Sequence, residues 1–131
     1  MINTIIYNYI NVLDKAADAA DSRNQILTNN IANVDTPNYR RKEVSFERYL
    51  EMALIGDESL DKRVDDINTH LNDFGGLIYT DHSVLSYRLD GNNVDIDTEQ
   101  AYLAENQIRY NTLISLIGQE FSRYKTVLSS N

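Results

Sequence analysis

From Met1 to Thr36 the sequence contains neither glycine nor proline, and from Ile2 a step of four and three residues in alternation lands on Ile6, Tyr9, Leu13, Ala16, Ala20, Arg23, Leu27, Asn30 and Val34. A helix sets such positions on one face. The spacing therefore predicts one helix from Ile2 to about Asn33, which Pro37 stops because it has no amide proton with which to continue. At 1.5 Å per residue this is a rod of roughly 48 Å, far longer than the average globular helix. The stripe is also broad: Ile5, Val12, Ala19 and Ile26 line one flank, and Ile10, Ala17 and Ile31 the other. A two-stranded seam needs only its two inner positions, so apolar flanks predict burial against several neighbours.

The carboxyl end has the same design. Leu103, Gln107, Tyr110, Ile114, Ile117, Phe121, Tyr124 and Leu128 follow the same alternation, widened by Ile108, Leu113, Leu116 and Val127. Asp97 with Gln100 reads as a capping box that starts this helix near Thr98. Gly118 inside it costs about 1 kcal/mol relative to alanine, and marks either a close helix contact or a tolerated defect.

A chain of 131 residues is too short for two independent cores. The two ends therefore predict a mainly α fold, in which long N- and C-terminal helices pair as an antiparallel helical hairpin or coiled coil around a small irregular or β-hairpin-containing middle. Residues 1–35 form the N-terminal assembly helix, 36–97 a corner, short helix and acidic insert, and 98–131 the C-terminal assembly helix, all within one structural domain. In the middle, a short helix runs from Ser45 to about Ile55 and ends at Gly56. The acidic stretch from Asp57 to Asp73 suits either a helix or a loop. Two β-prone runs, 77–80 and 84–89, lie between Gly75-Gly76 and the turn Asp90-Gly91-Asn92-Asn93 and predict a hairpin.

The net charge of −8 argues against a nucleic-acid binder, whose footprint is a concentrated basic face. Residues 51–99 hold twelve of the twenty acidic side chains and three of the twelve basic ones, which places the middle at the solvent and the ends in the packing. Without cysteine there is no thiolate chemistry. His70 and His82 stand twelve residues apart in the least regular segment. The run from Asn93 to Glu99 superficially resembles a calcium loop, but Thr98 stands where glycine is required and Ala104 where glutamate is required. Gly75-Gly76 lacks the lysine and helix start of a phosphate cradle. No catalytic, cofactor-binding or metal-ligating residue is assigned, and no enzyme activity is expected. The basic cluster Arg40-Arg41-Lys42 is expected to form a solvated turn or ion pairs with the acidic middle, in preference to contact with nucleic acid or lipid headgroups. Tyr9, Tyr110 and Tyr124 lie on the stripes and are expected half-buried, with hydroxyls at the rim.

The most specific segment runs from Leu27 to Arg41. Asn33 suits a left-handed helix cap, Asp35 and Thr36 a side-chain-bonded turn, and Pro37 fixes the exit, which together make a rigid corner. Asn29, Asn30, Ile31, Ala32, Asn33, Thr36, Pro37 and Tyr39 in this order closely resemble the signature of bacterial flagellar rod, hook and hook-filament junction proteins. The runs 90–97 and 105–110 are similar to the proximal basal-body rod members of that family. The resemblance spans residues 1–50 and 88–131; residues 56–87 match no family pattern.

The resemblance implies a structural subunit of the flagellar basal body, outside the cytoplasmic membrane, that polymerises through its terminal helices into the drive shaft. It implies export through the flagellar type III apparatus without a cleaved signal, and the first ten residues indeed lack a basic start. The implied partners are its own copies, other rod proteins, the ring-to-rod adaptor FliE and the export gate, with no nucleic acid and no small-molecule substrate. The assembly interface is expected at Ile6, Tyr9, Leu13, Leu27, Tyr110, Ile114, Ile117, Phe121 and Leu128. Phe46 and Leu50 resemble a short export signal and fit a core-facing i, i+4 pair at least as well. Another rod component shares all of this, whereas a cytoplasmic helical adaptor or chaperone explains the stripes but not the Asn-Thr-Pro corner.

Overall fold

The computed structural model of the protein describes residues 2–71, 78–82 and 88–130. The chain runs α1 (Ile2–Ala32), β1 (Lys42–Val44), α2 (Phe46–Leu54), α3 (Leu60–Thr69), β2 (Ile78–Thr80) and α4 (Ile96–Ser129). α1 and α4 pack against each other along their lengths. They are antiparallel: Asn30 meets Glu99 at one end, Asn106 meets Ala20 further along, and the rings of Tyr7 and Tyr124 meet edge to face at 5.1 Å at the other end.

α1 ends where its repeat predicts, by tightening: Asn33 N donates to the Asn29 and Asn30 carbonyls and Val34 N to that of Ile31. The left-handed residue of the corner is Asn38, with φ 59°, and not Asn33, because the chain reverses after Pro37 and not at the helix end. α4 begins two residues before the expected start. Asp95 is its cap, accepting from the Asp97 and Thr98 amides, so Asp97 falls in the first turn and makes no capping box.

The acidic stretch forms a helix, α3, capped by Ser59. Val64 and Ile67, three residues apart, lie on its inner face and bury against Val12 of α1, with Tyr9, Leu50, Ala53, Leu54 and Leu71 packed around them. Tyr9 donates to Asp61, Asn8 to Asp65 and Asn11 to Asn68 along the rim. The middle therefore does not lie wholly outside. One flank of α1 is covered by the chain itself, because one apolar pair per turn suffices to dock a helix whose other faces are charged.

β1 was not legible in the basic cluster, and it pairs antiparallel with β2, with Glu43 opposite Tyr79. The expected hairpin partner of β2, residues 84–89, falls mainly outside the described residues. Of its end, Arg88 and Leu89 belong to no strand.

The register of α4 also differs from the expected stripe. Glu99, Leu103, Asn106, Leu113, Ile117, Glu120, Tyr124 and Val127 are buried or half-buried on the inner side, whereas Gln107, Ile114, Phe121 and Leu128 face outward. Both stripes are apolar, and the inner one contains an asparagine and two glutamates, so hydrophobicity alone selects the wrong one. Among the described residues, no helix is long and apolar enough to cross a membrane.

Candidate functional site

The closed end of the hairpin is a buried polar joint. Asn30 is fully buried at the end of α1. Its Oδ1 accepts from Lys42 N at 2.9 Å and from the Tyr39 hydroxyl at 3.1 Å, while its Nδ2 donates to Lys42 O and to Glu99 Oε2, both at 2.9 Å. One side-chain amide thus pairs with both backbone groups of a β1 residue, as a neighbouring strand would, and also reaches the first turn of α4. Glu99 is 1% exposed, and its other oxygen accepts from Arg41 Nε at 2.6 Å. The Arg41 fork extends to Glu43 at 2.8 Å and Asp81 at 3.3 Å, and its guanidinium lies over the Tyr102 ring. Burial lowers the Arg41 pKa, but the bonds to Glu43 and Glu99 outweigh it and hold the group above its ordinary value. Burial first, and then the Glu99 charge, raises the Tyr39 hydroxyl, so that it stays a donor to Asn30.

The charges continue along the hairpin. Arg23 Nε stands 3.1 Å from Glu43 without hydrogen-bond alignment, Arg23 Nη1 donates to Glu47 at 2.9 Å, and Glu47 pairs with Arg109. α1, β1, α2 and α4 are joined by this alternating series.

A loop far away in sequence closes the corner from the other side. Asn92, 1% exposed, holds its Nδ2 within 3.0 Å of the carbonyls of Asn33, Val34 and Thr36, and its Oδ1 accepts from Val94 N at 2.7 Å. Arg88 donates to the Val34 carbonyl as well, at 2.8 Å. The carbonyls left over where α1 stops are satisfied this way. Asn38 N donates to Asp90 O, and Gly91 passes close by with φ +75°: a Cβ there would stand 2.7 Å from Asn38 Oδ1. The hydrogen bond from Arg88 lowers the Asp90 carboxyl pKa to about 2, opposed by burial and helped by the Asn92 amide.

The side chains of Asn30, Asn92, Arg41 and Glu99 point at one another or at the backbone of the corner. The arrangement fixes the angle at which α1, β1 and α4 meet. His70, at the end of α3, bonds to Asp66 O and Thr69, and His82 is exposed. Among the described residues no group of three His, Cys, Asp or Glu could hold a metal ion. Large apolar side chains are exposed in two places in particular: on the outer side of α4, where Ile108, Ile114, Phe121 and Leu128 are 69%, 47%, 52% and 53% exposed, and around the α2–α3 turn, at Met52, Ile55 and Leu60.

A family model described as flagella basal body rod protein matches residues 10–40, which contain the corner. Over 119 residues the chain is 39% identical to the flagellar basal body rod protein FlgB of Bacillus subtilis, covering 89% of this chain and 90% of that protein. It is 35% identical to FlgB of Borreliella burgdorferi, over 85% and 88% of the two chains, and 28% identical to FlgB of Salmonella typhimurium, over 87% and 88%. The chain belongs to the flagellar basal body rod protein FlgB family. As a FlgB family member it is a structural subunit of the proximal rod.

The structure gathers the rod-family motif into one place. Asn29 and Asn33 bond to each other, Thr36 donates to Asn33, and Asn30 and Tyr39 bond directly, while Ile31 is half-buried and Ala32 and Pro37 are exposed. The residues expected at the assembly interface separate into two groups. Leu27 is fully buried, and Ile6, Tyr9, Leu13 and Ile117 are half-buried inside the chain, whereas Tyr110, Ile114, Phe121 and Leu128 are exposed. Phe46 is buried and Leu50 packs on the α3 core, so in the folded chain they form a core pair. Sequence reasoning gave Arg88, Asn92 and Glu99 no role at the corner; the turn Asp90-Gly91-Asn92-Asn93 and the family-like run 90–97 were the local signals.

Proposed function

We propose that this chain polymerises through the outer side of α4, and that the resulting stack of helices transmits torque along the rod. Three large apolar side chains at a seven-residue spacing, Ile114, Phe121 and Leu128, each about half exposed on the side of α4 turned away from α1, carry this reading. Burying them against a neighbour removes apolar area from water at roughly 25 cal/mol per Å². Contact between unlike surfaces need not close, and so builds a helical polymer. Torsional stiffness follows from long hydrogen-bonded helices held at a fixed angle by the Asn30, Arg41 and Glu99 joint. The role is mechanical, with no catalytic step.

The partners are further copies, other rod proteins and the ring-to-rod adaptor FliE, on the outer side of the cytoplasmic membrane. Export proceeds through the flagellar type III gate without signal cleavage. Because Phe46 and Leu50 are packed in the folded chain, the gate reads them only while the chain is unfolded. Ile114→Asp as the sole copy is expected to leave export intact and abolish rod formation and swimming. Wild-type swimming would refute the reading. Cross-linking to FliE in isolated basal bodies tests the proximal position.

A further inference from the structure

We propose that the peptide Asp90-Gly91 is a site of spontaneous covalent rearrangement to isoaspartate, which the folded corner suppresses by clamping the Asp90 carboxyl. The reaction needs only the chain and water. The Gly91 nitrogen attacks Asp90 Cγ and a C–N bond forms; the amide proton and the carboxyl hydroxyl leave as water, closing a succinimide ring. Water then opens either ring carbonyl. Opening at the former main-chain carbonyl leaves the chain running through Cγ, with no net change in atoms and no oxidation. Closure needs a following nitrogen that is unhindered and a backbone free to turn back on the side chain, and glycine, having no Cβ, meets both conditions best. Of the five glycines in the chain, only Gly91 follows an aspartate or an asparagine. The Asp90 side chain is 35% exposed, so water reaches it.

The fold opposes the attack at each atom it involves. Arg88 grips both carboxyl oxygens, Nε donating to Oδ1 at 3.1 Å and Nη2 to Oδ2 at 2.7 Å, and Asn92 N donates to Oδ1 at 3.2 Å. Ring closure expels one of these oxygens and abolishes the charge that the guanidinium fork holds. The Asp90 carbonyl accepts from Asn38 N at 2.8 Å, which fixes the very peptide whose nitrogen must turn inward. The bond from Arg88 foremost also lowers the carboxyl pKa from 3.8 to about 2, which cuts the protonated, electrophilic form by more than tenfold. In the unfolded chain none of these restraints is in place. The product cannot rebuild the corner. Its main chain is longer by one carbon, about 1.5 Å, just before Asn92, whose amide must reach the carbonyls of Asn33, Val34 and Thr36 within 3.0 Å. The carbonyl that accepts from Asn38 becomes a carboxylate outside the main chain.

The test incubates the full-length chain in warm neutral buffer, folded in one sample and unfolded in guanidinium chloride in the other, and follows isoaspartate at position 90 by electron-transfer mass spectrometry. Isoaspartate is expected to accumulate at least tenfold faster in the unfolded sample, by the loss of the protonated form alone. Gly91→Ala should slow the unfolded reaction severalfold. Arg88→Gln, checked as folded by circular dichroism, should react severalfold faster than folded wild type; if it does not fold, Arg88→Lys, which keeps the charge without the fork, replaces it with the same expectation. Converted wild-type chain, returned to native buffer, should show a lower urea midpoint than unconverted chain carried through the same steps. No isoaspartate at position 90 in the unfolded sample overturns the site. Equal rates in the folded and unfolded samples, or a folded Arg88 variant no faster than wild type, overturn the clamp, and an unchanged urea midpoint overturns the consequence for the corner.

Discussion

Asn30 makes four hydrogen bonds with one amide, two as donor and two as acceptor, and a carboxylate of the same shape could make only the accepting pair. Asn30→Asp would set a second negative charge against Glu99 in a buried site and leave both donor contacts unmade. It is expected to cost about 3 kcal/mol or more, read as a fall in the urea midpoint at constant m-value. Gly91→Ala is milder, about 1–2 kcal/mol, since a positive φ and the Asn38 side chain both oppose a methyl group there. Asp90 gives the corner a pH dependence. Its folded pKa, about 2, is below the ordinary 3.8, so its stabilisation is complete above pH 4 and is lost as pH falls through that interval. Wild type should therefore lose stability more steeply than Asp90→Asn between pH 4 and pH 2, and equal slopes would remove Asp90 from the joint.

At the scale of elements, the two long helices were legible because a repeat of four and three residues over thirty positions has no competing explanation. The register of α4 was not. Its outer stripe is as apolar as its inner one, and the polar residues of the inner stripe gain their partners only from α1: Glu99 from Asn30, and Asn106 from the Ala20 carbonyl at 2.7 Å. Among the described residues Asn106 Oδ1 is buried without a hydrogen-bond partner, which costs stability, while its Nδ2 bonds across to α1 at a single position. Asn106→Leu is expected to raise the melting temperature by several degrees, about 1 kcal/mol, and to broaden the distribution of spin-label distances between α1 and α4. An unchanged distribution would show that the register is set elsewhere. α3 was undecidable from sequence because Val64 and Ile67 make too short a pattern without Val12 to receive them. β1 was hidden for a related reason: three residues make a strand only where Asn30 holds one edge and β2 the other.

For the whole molecule, the distinction that matters is between apolar surface used within the chain and apolar surface left over. Leu27→Asp places a charge in the fully buried seam and is expected to destabilise the monomer by about 4 kcal/mol. Phe121→Asp, on a side chain already half in water, should change monomer stability by no more than about 0.5 kcal/mol and yet leave cells non-motile. Urea titration of the two monomers beside a swimming assay separates the roles; equal loss of stability would place Phe121 in the core. Two long helices, a sharp corner after the first, the rod-family motif that marks it, and more apolar surface than one hairpin can bury were all legible along the chain. All of these are local or periodic, written in residues that are neighbours along the chain. Folding alone selects which stripe of α4 faces inward, lays the acidic insert over a flank of α1, and brings Arg88, Asn92 and Glu99 to the corner from more than fifty residues away. A buried polar group is identified by its partner, and partners distant in sequence are brought together only by folding.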